Sequence, residues 1–385
     1  MSPYLIVFLI LWVFAGYEYW KNRKQEKLYW VIFIVLTAML CLRYGQGSDY
    51  FGYMYNYLTT PKLNEIGKLF ESGLHGEPGW LVMCSVLRTL NVPFPLLVTV
   101  LSGAEMFLMH RFVYKFSPLK SVSLLAAYPT LYLTFVFSAL RQGLVMMVFL
   151  GYMVEWIRDR RWGRYIVVTM LCSLIHSSAL AFLIPLAVMS IPERFGLFPM
   201  DTSRVLCYGG ISVICGLCMS GLLMWLSPAL AHYAGSSVSI MAVGERVVTT
   251  GLIILVFREE LDGKRKCANP MLPVMLQVYL LGTILYGFLF WNSLISARMT
   301  ICFKAIEIIL LAVAMTKPGK LRRVVAIYVF GLAVLMFYKN VGSYIHQGRY
   351  FDTVNVFNYP YFSLFDQEAV ESYRKINYDF SGLLP

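Results

Sequence analysis

Residues 3–20 read PYLIVFLILWVFAGYEYW, and residues 21–27 follow as KNRKQEK. A largely apolar run of this length spans the roughly 30 Å hydrocarbon core of a bilayer as one helix. It has neither a basic n-region nor an A-x-A cleavage site, so it reads as a retained first span rather than a signal peptide. The cluster Lys21, Arg23, Lys24 and Lys27 then marks the inside of the membrane and puts the N-terminus outside. Further apolar runs lie near 28–42, 93–110, 121–138, 141–157, 165–190, 205–226, 240–257, 271–292, 298–316 and 323–340. The chain is 58% hydrophobic and only 14% charged, too little charge to cover a soluble domain of 385 residues. The expected fold is all-α and polytopic, with about 10–12 membrane helices including short or re-entrant ones. No repeat or linker interrupts it, so residues 1–385 read as a single transmembrane domain.

The net charge of +12 has a topological explanation. Arg111, Lys115 and Lys120, then Arg158, Arg160, Arg161 and Arg164, then Lys317, Lys320, Arg322 and Arg323, form short basic loops between apolar runs. That pattern follows the positive-inside rule and gives no reason to invoke nucleic acid. Cys215 and Cys218 form a C-x-x-C, but inside an apolar run without a histidine or second pair, so they read as ordinary thiols. Parity raises one conflict. If 165–190 crossed once, the loop 258–269 with Arg258, Lys264, Arg265 and Lys266 would fall outside. Two short arms folded at His176, Ser177 and Ser178 remove it, since an arm of about 12 residues reaches only about 18 Å. The alternative is one long tilted helix, with the break between 205 and 240.

Polar residues of an unusual kind gather on the outer side. Residues 43–50 read RYGQGSDY, and Glu77, Pro78 and Gly79 close the same loop, 43–92, whose apolar stretch 79–90 is too short to span and reads as interfacial or re-entrant. Arg141 and Gln142 open the fifth run directly after apolar residues, where a charge normally faces a cavity or a partner. Arg298 and Arg349 lie at helix ends, where an arginine either snorkels or binds. Arg43 sits beside two glycines that allow a close backbone approach to an anion. Asp49 either pairs with Arg43 or takes a proton, and His176 is either a satisfied buried histidine or a proton acceptor in a wet cavity. Arginines neutralise a diphosphate well at low dielectric, and a carboxylate or histidine can deprotonate a sugar hydroxyl. The candidate acid–base residues are thus His176, Asp49 and Glu77; those for a diphosphate are Arg43, Arg141, Arg298 and Gln142; those for the rest of a substrate are Tyr44, Tyr50 and Arg349. Tyrosines and tryptophans there also fit an ordinary interfacial belt.

The order RYGxGxDY, then EPG at 77–79, then ALRQG at 139–143, then HSSAL at 176–180, resembles the EpsG family of bacterial exopolysaccharide polymerases, grouped with the Wzy-type O-antigen and capsule polymerases. Asn358, Tyr359, Pro360 and Tyr361 and the helix with Arg298 resemble it too. The resemblance implies a GT-C-like enzyme of the bacterial inner membrane with its site facing the periplasm. It implies that undecaprenyl-diphosphate-linked oligosaccharides serve as donor and acceptor, that no cofactor or metal is needed, and that a chain-length regulator is the protein partner to look for. The chain has no D-x-D motif. An O-antigen-ligase-like transferase is the nearest alternative, though the late outside loop 293–297 is very short for one. A flippase or other transporter of lipid-linked sugars is a second, though no pair of similar halves is visible.

Overall fold

A computed structural model describes residues 1–69, 76–190, 199–226, 238–267 and 269–383. Among the described residues, seven of the eleven apolar runs are continuous helices long and apolar enough to cross a membrane: Pro3–Lys21 (α1), Phe94–Phe116, Leu140–Arg158, Thr202–Gly221, Ile240–Leu261, Met271–Leu289 and Lys320–Gln347. The protein is an all-α, multi-pass membrane protein, and among the described residues only two isolated β-bridges interrupt that pattern. The other four runs are short or broken. The second is Glu26–Cys41 (α2), of 16 residues. The fourth starts as an α-helix at Lys120–Ala127 and relaxes into a π-helix at Tyr128–Val136, after Pro129 removes a backbone donor. The run near 298–316 divides into Ser293–Lys304 and Glu307–Ala314.

The run 165–190 breaks where a hairpin apex was expected. It forms Trp162–Ile175, a 3-10 turn Ser177–Phe182, and Leu183–Met189, leaving His176 outside all three. The chain doubles back: the Tyr165 hydroxyl donates to the Phe182 carbonyl at 2.8 Å. A straight helix would put those residues about 25 Å apart.

The chain divides into two compact units. The first comprises residues 1–151, 171–177 and 326–385; the second comprises 152–170 and 178–325. In the first, α1 packs on the helix that begins at Lys120, and α2 packs on Phe94–Phe116 (α5, counting the loop helices Tyr50–Thr59 as α3 and Pro78–Thr89 as α4). Glu18 joins α1 to that neighbour. Its carboxylate accepts from the backbone N–H groups of Lys120, Ser121 and Val122 at 3.1, 2.6 and 3.3 Å. These are donors that a helix start leaves unmet, and the macrodipole favours an anion there. Aromatic contacts close the remaining space, with Phe8 stacked on Phe337 at 4.5 Å and Tyr4 against Tyr359 at 5.0 Å. In the second unit Thr202–Leu226 and Ser293–Lys304 both pack on Met271–Leu289.

Candidate active site

The RYGxGxDY stretch leaves α2 as a turn that only glycine accommodates. Gly45 and Gly47 have φ of +62° and +93°. A Cβ on Gly47 would stand 2.9 Å from the Phe137 carbonyl and 3.1 Å from Ser138 Cα. The bare backbone lets Ser48 dock on Ser138: its N–H donates to Ser138 Oγ at 3.0 Å, and the two hydroxyls are 2.7 Å apart. Two motifs separated by ninety positions are thereby joined, because Arg141 begins one turn beyond Ser138.

Arg43 points inward. It is 1% exposed, donates to the Leu40 carbonyl at 2.5 Å and Ser102 Oγ at 2.7 Å, and lies 4.9 Å over the Phe137 ring. Its hydrogen bonds therefore go to these groups rather than to Asp49. Its Nε and second terminal nitrogen are buried without a hydrogen-bond partner among the described residues, as are both carboxyl oxygens of its electrostatic neighbour Glu105. Glu105 touches the third motif as well: a Cβ on Gly143 would meet its Oε1 at 2.8 Å. Tyr44 and Tyr50 are buried beneath the loop, their rings edge-to-face at 5.6 Å, with Tyr50 against Phe94 at 5.3 Å. They support the loop and offer little surface to a ligand.

Arg141 and Glu77 form an ion pair. Glu77 precedes Pro78, which starts α4 where a missing N–H costs nothing. Its other oxygen accepts from the Ser177 N–H at 2.8 Å. One carboxylate thus holds both the arginine and the turn that carries His176, which is also within electrostatic reach of Glu77. Gly79 makes the approach possible, since a Cβ there would come within 2.7 Å of Leu174 Cβ. Arg141 is 8% exposed and lies between two aromatic faces, 5.6 Å from the Tyr53 ring centre and 5.9 Å from that of Trp80. Its Nε is buried with no hydrogen-bond partner among the described residues. Burial pushes the Glu77 carboxyl up, but the Ser177 amide and the Arg141 guanidinium outweigh it and hold the group below its ordinary range. Burial raises the Tyr53 phenol, which stays protonated and able to donate.

The first unit therefore brings Arg141, Glu77 and His176 together, with Tyr53 and Trp80 flanking the arginine. Asp49 is exposed at the start of α3, within electrostatic reach of Tyr53. Gln142 is buried beside Arg141. Arg349 is exposed just past the last long helix. Arg298 belongs to the second unit, where it is an exposed residue of Ser293–Lys304.

Several polar residues escaped the sequence reading. Glu105 is one. Gln46 is fully buried and accepts from the Tyr4 hydroxyl at 2.6 Å. Arg374, in the C-terminal tail, donates to the Gly45 carbonyl at 2.6 Å. The second unit buries a group of four charges. Lys304 Nζ lies 2.6 Å from Glu245 and 3.6 Å from Glu307, while Arg246 donates to Thr300 Oγ1 at 2.9 Å. Arg246 also lines an otherwise mainly apolar cavity of about 410 Å³ with Tyr286 and Thr250. Charges inside apolar runs were the available signal for Glu105, Glu245, Arg246 and Lys304.

The first unit of this multi-pass membrane protein thus sets a buried arginine, the carboxylate paired with it and a histidine at a helix break side by side. The chain belongs to the EpsG family, whose model matches residues 26–363. That membership places it in polysaccharide biosynthesis and is consistent with a glycosyltransferase-type exopolysaccharide polymerase. Neither a curated protein nor a solved structure matches the chain.

Proposed function

We propose that the protein joins undecaprenyl-diphosphate-linked oligosaccharide repeat units into a surface polysaccharide, on the outer side of the bacterial inner membrane. A hydroxyl of the incoming lipid-linked repeat attacks the anomeric carbon of the growing chain. The new C–O bond forms as the bond from that carbon to the diphosphate oxygen breaks, and the electron pair leaves with undecaprenyl diphosphate. The hydroxyl proton passes to a base on the protein.

The observation that carries this reading is Arg141, largely buried between Tyr53 and Trp80 and oriented by Glu77. A guanidinium so placed stabilises charge on a departing diphosphate without having to reorganise. Glu77 is a poor base, because two partners engage it and its basicity is reduced. Its role is to position Arg141 and the turn at 176–178. His176, on that turn, is the base we assign, with Asp49 as the remaining alternative.

The test is the product ladder made by purified protein from one synthetic lipid-linked repeat unit. Wild type gives a ladder. Arg141→Ala reduces it by about 10²–10³-fold, and His176→Ala by about 10²–10⁴-fold. Absence of any ladder from wild type overturns the polymerase reading. A ladder unchanged in Arg141→Ala leaves the polymerase and removes the arginine from it. Loss with Asp49→Ala but not His176→Ala transfers the base to Asp49.

A further inference from the structure

The C-terminal tail returns over the RYGxGxDY loop. The Tyr44 N–H donates to the Phe362 carbonyl at 2.9 Å, and the Leu364 N–H donates to the Leu42 carbonyl at 2.8 Å. Further on, the tail runs alongside the end of the last long helix. The Phe351 N–H donates to the Tyr373 carbonyl at 2.9 Å, and the Lys375 N–H donates to the Arg349 carbonyl at 3.1 Å. This pairing sets Arg349 beside Arg374 and Lys375.

Between loop and tail is a cavity of about 190 Å³, lined among others by Ser48, Gln347, Arg349, Arg374, Lys375 and Asn377. Three of its lining residues are cations and none is a carboxylate. Among the described residues, none of the three cations enters an ion pair. Arg374 is built in rather than draped on the surface. It is 7% exposed, its guanidinium is 5.1 Å from both the Phe51 and the Tyr350 ring centres, and its Nε is buried without a hydrogen-bond partner among the described residues. Arg349, just past the end of Lys320–Gln347, has φ of +53°, a left-handed position that glycine takes with less strain.

Three like charges around a small polar cavity repel one another unless an anion joins them. An arginine fork matches a carboxylate in shape and charge. The hydroxyl of Ser48 and the amides of Gln347 and Asn377 add donors and acceptors suited to alcohol groups. At ~30 Å³ per water the space holds about six waters, on the scale of one sugar ring. A diphosphate could take the amide N–H groups but would leave the amide oxygens of Gln347 and Asn377 without a donor, whereas sugar hydroxyls satisfy both; a prenyl chain would use neither cations nor amides.

We propose that this cavity is a subsite for one acidic sugar of the repeat unit, its carboxylate held by Arg349, Arg374 and Lys375 and its hydroxyls by Ser48, Gln347 and Asn377. The inference rests on the polymerase reading and narrows it to an acidic polysaccharide.

The test uses the full chain in detergent and measures binding of methyl glucuronide, methyl galacturonide, methyl glucoside and inorganic phosphate. At least one uronide is expected to bind about tenfold or more tightly than the neutral glucoside, and more tightly than phosphate. The double variant Arg349→Gln, Lys375→Gln is expected to lose about tenfold or more in uronide affinity. Both side chains are exposed and their loss relieves like-charge repulsion, so its thermal midpoint should be no lower than that of wild type. Equal binding of uronides and glucoside, tighter binding of phosphate, or an unchanged uronide affinity in the double variant overturns the subsite. Binding of a free uronide needs no polymerisation. A protein that binds it yet makes no polymer counts against the polymerase reading alone, and polymer without uronide binding counts against the subsite alone.

Discussion

Glu77 connects protonation to structure at the scale of one residue. Its carboxyl is held below the ordinary carboxylate value by the Ser177 amide and Arg141, against the upward push of burial. A group whose folded value is lowered contributes stability that is complete above its unfolded value, about 4.3 for glutamate, and that disappears as pH falls through the folded value. Glu77→Gln should therefore lower the thermal midpoint at pH 7. The gap to wild type should close as the solution is acidified below about pH 4. Thermal unfolding at both pH values checks this, and a gap that persists at low pH would show that the carboxylate charge is not what stabilises the pair. Arg43 makes a contrasting case. The sequence placed it among the diphosphate ligands, whereas its bonds to Leu40 and Ser102 and its burial tie it to the helix end beneath the loop. Arg141 was singled out for following an apolar run directly and Arg43 for its neighbouring glycines, but neither local feature shows which way a guanidinium turns.

Turns and helix breaks carry the geometry at the scale of elements. Gly47 combines a left-handed backbone with contact against Phe137 and Ser138. Gly47→Ala should destabilise by about 1–3 kcal/mol. It should also uncouple Ser48 from Ser138 and reduce polymer, which unfolding and the product ladder measure together. A variant as stable as wild type would show that the loop rearranges without cost. The break at His176 was legible, because charge parity among the loops favoured an extra reversal and the run places a histidine and two serines together at its middle. The π-helix at Tyr128–Val136 was not legible: Pro129 signalled an irregularity, but not that the backbone would widen instead of ending.

Orientation belongs to the whole molecule. The basic loops put Arg160 inside and, by the same count of spans, the C-terminal tail 341–385 outside. In intact cells, a membrane-impermeant maleimide should label Asn355→Cys and spare Arg160→Cys, relative to a parent lacking accessible thiols. Asn355 is exposed in the tail and Arg160 in a basic turn, so both report sidedness directly. The reverse labelling would invert the membrane orientation and with it the side on which the site acts.

Hydropathy and loop charge were enough to establish a polytopic all-α chain, its approximate spans and its expected sidedness. Each depends on the solvation of a local stretch, by lipid or by water, and local composition determines that solvation. The motifs RYGxGxDY, EPG and ALRQG were visible for the same reason. Tertiary structure alone decided which of their residues meet. Glu77 reaches Arg141 and Ser177 across 64 and 100 positions, and Arg374 reaches Gly45 across 329. Such partners depend on how helices pack and where a tail returns, and the resulting fields and cavities have no imprint in the spacing of residues along the chain.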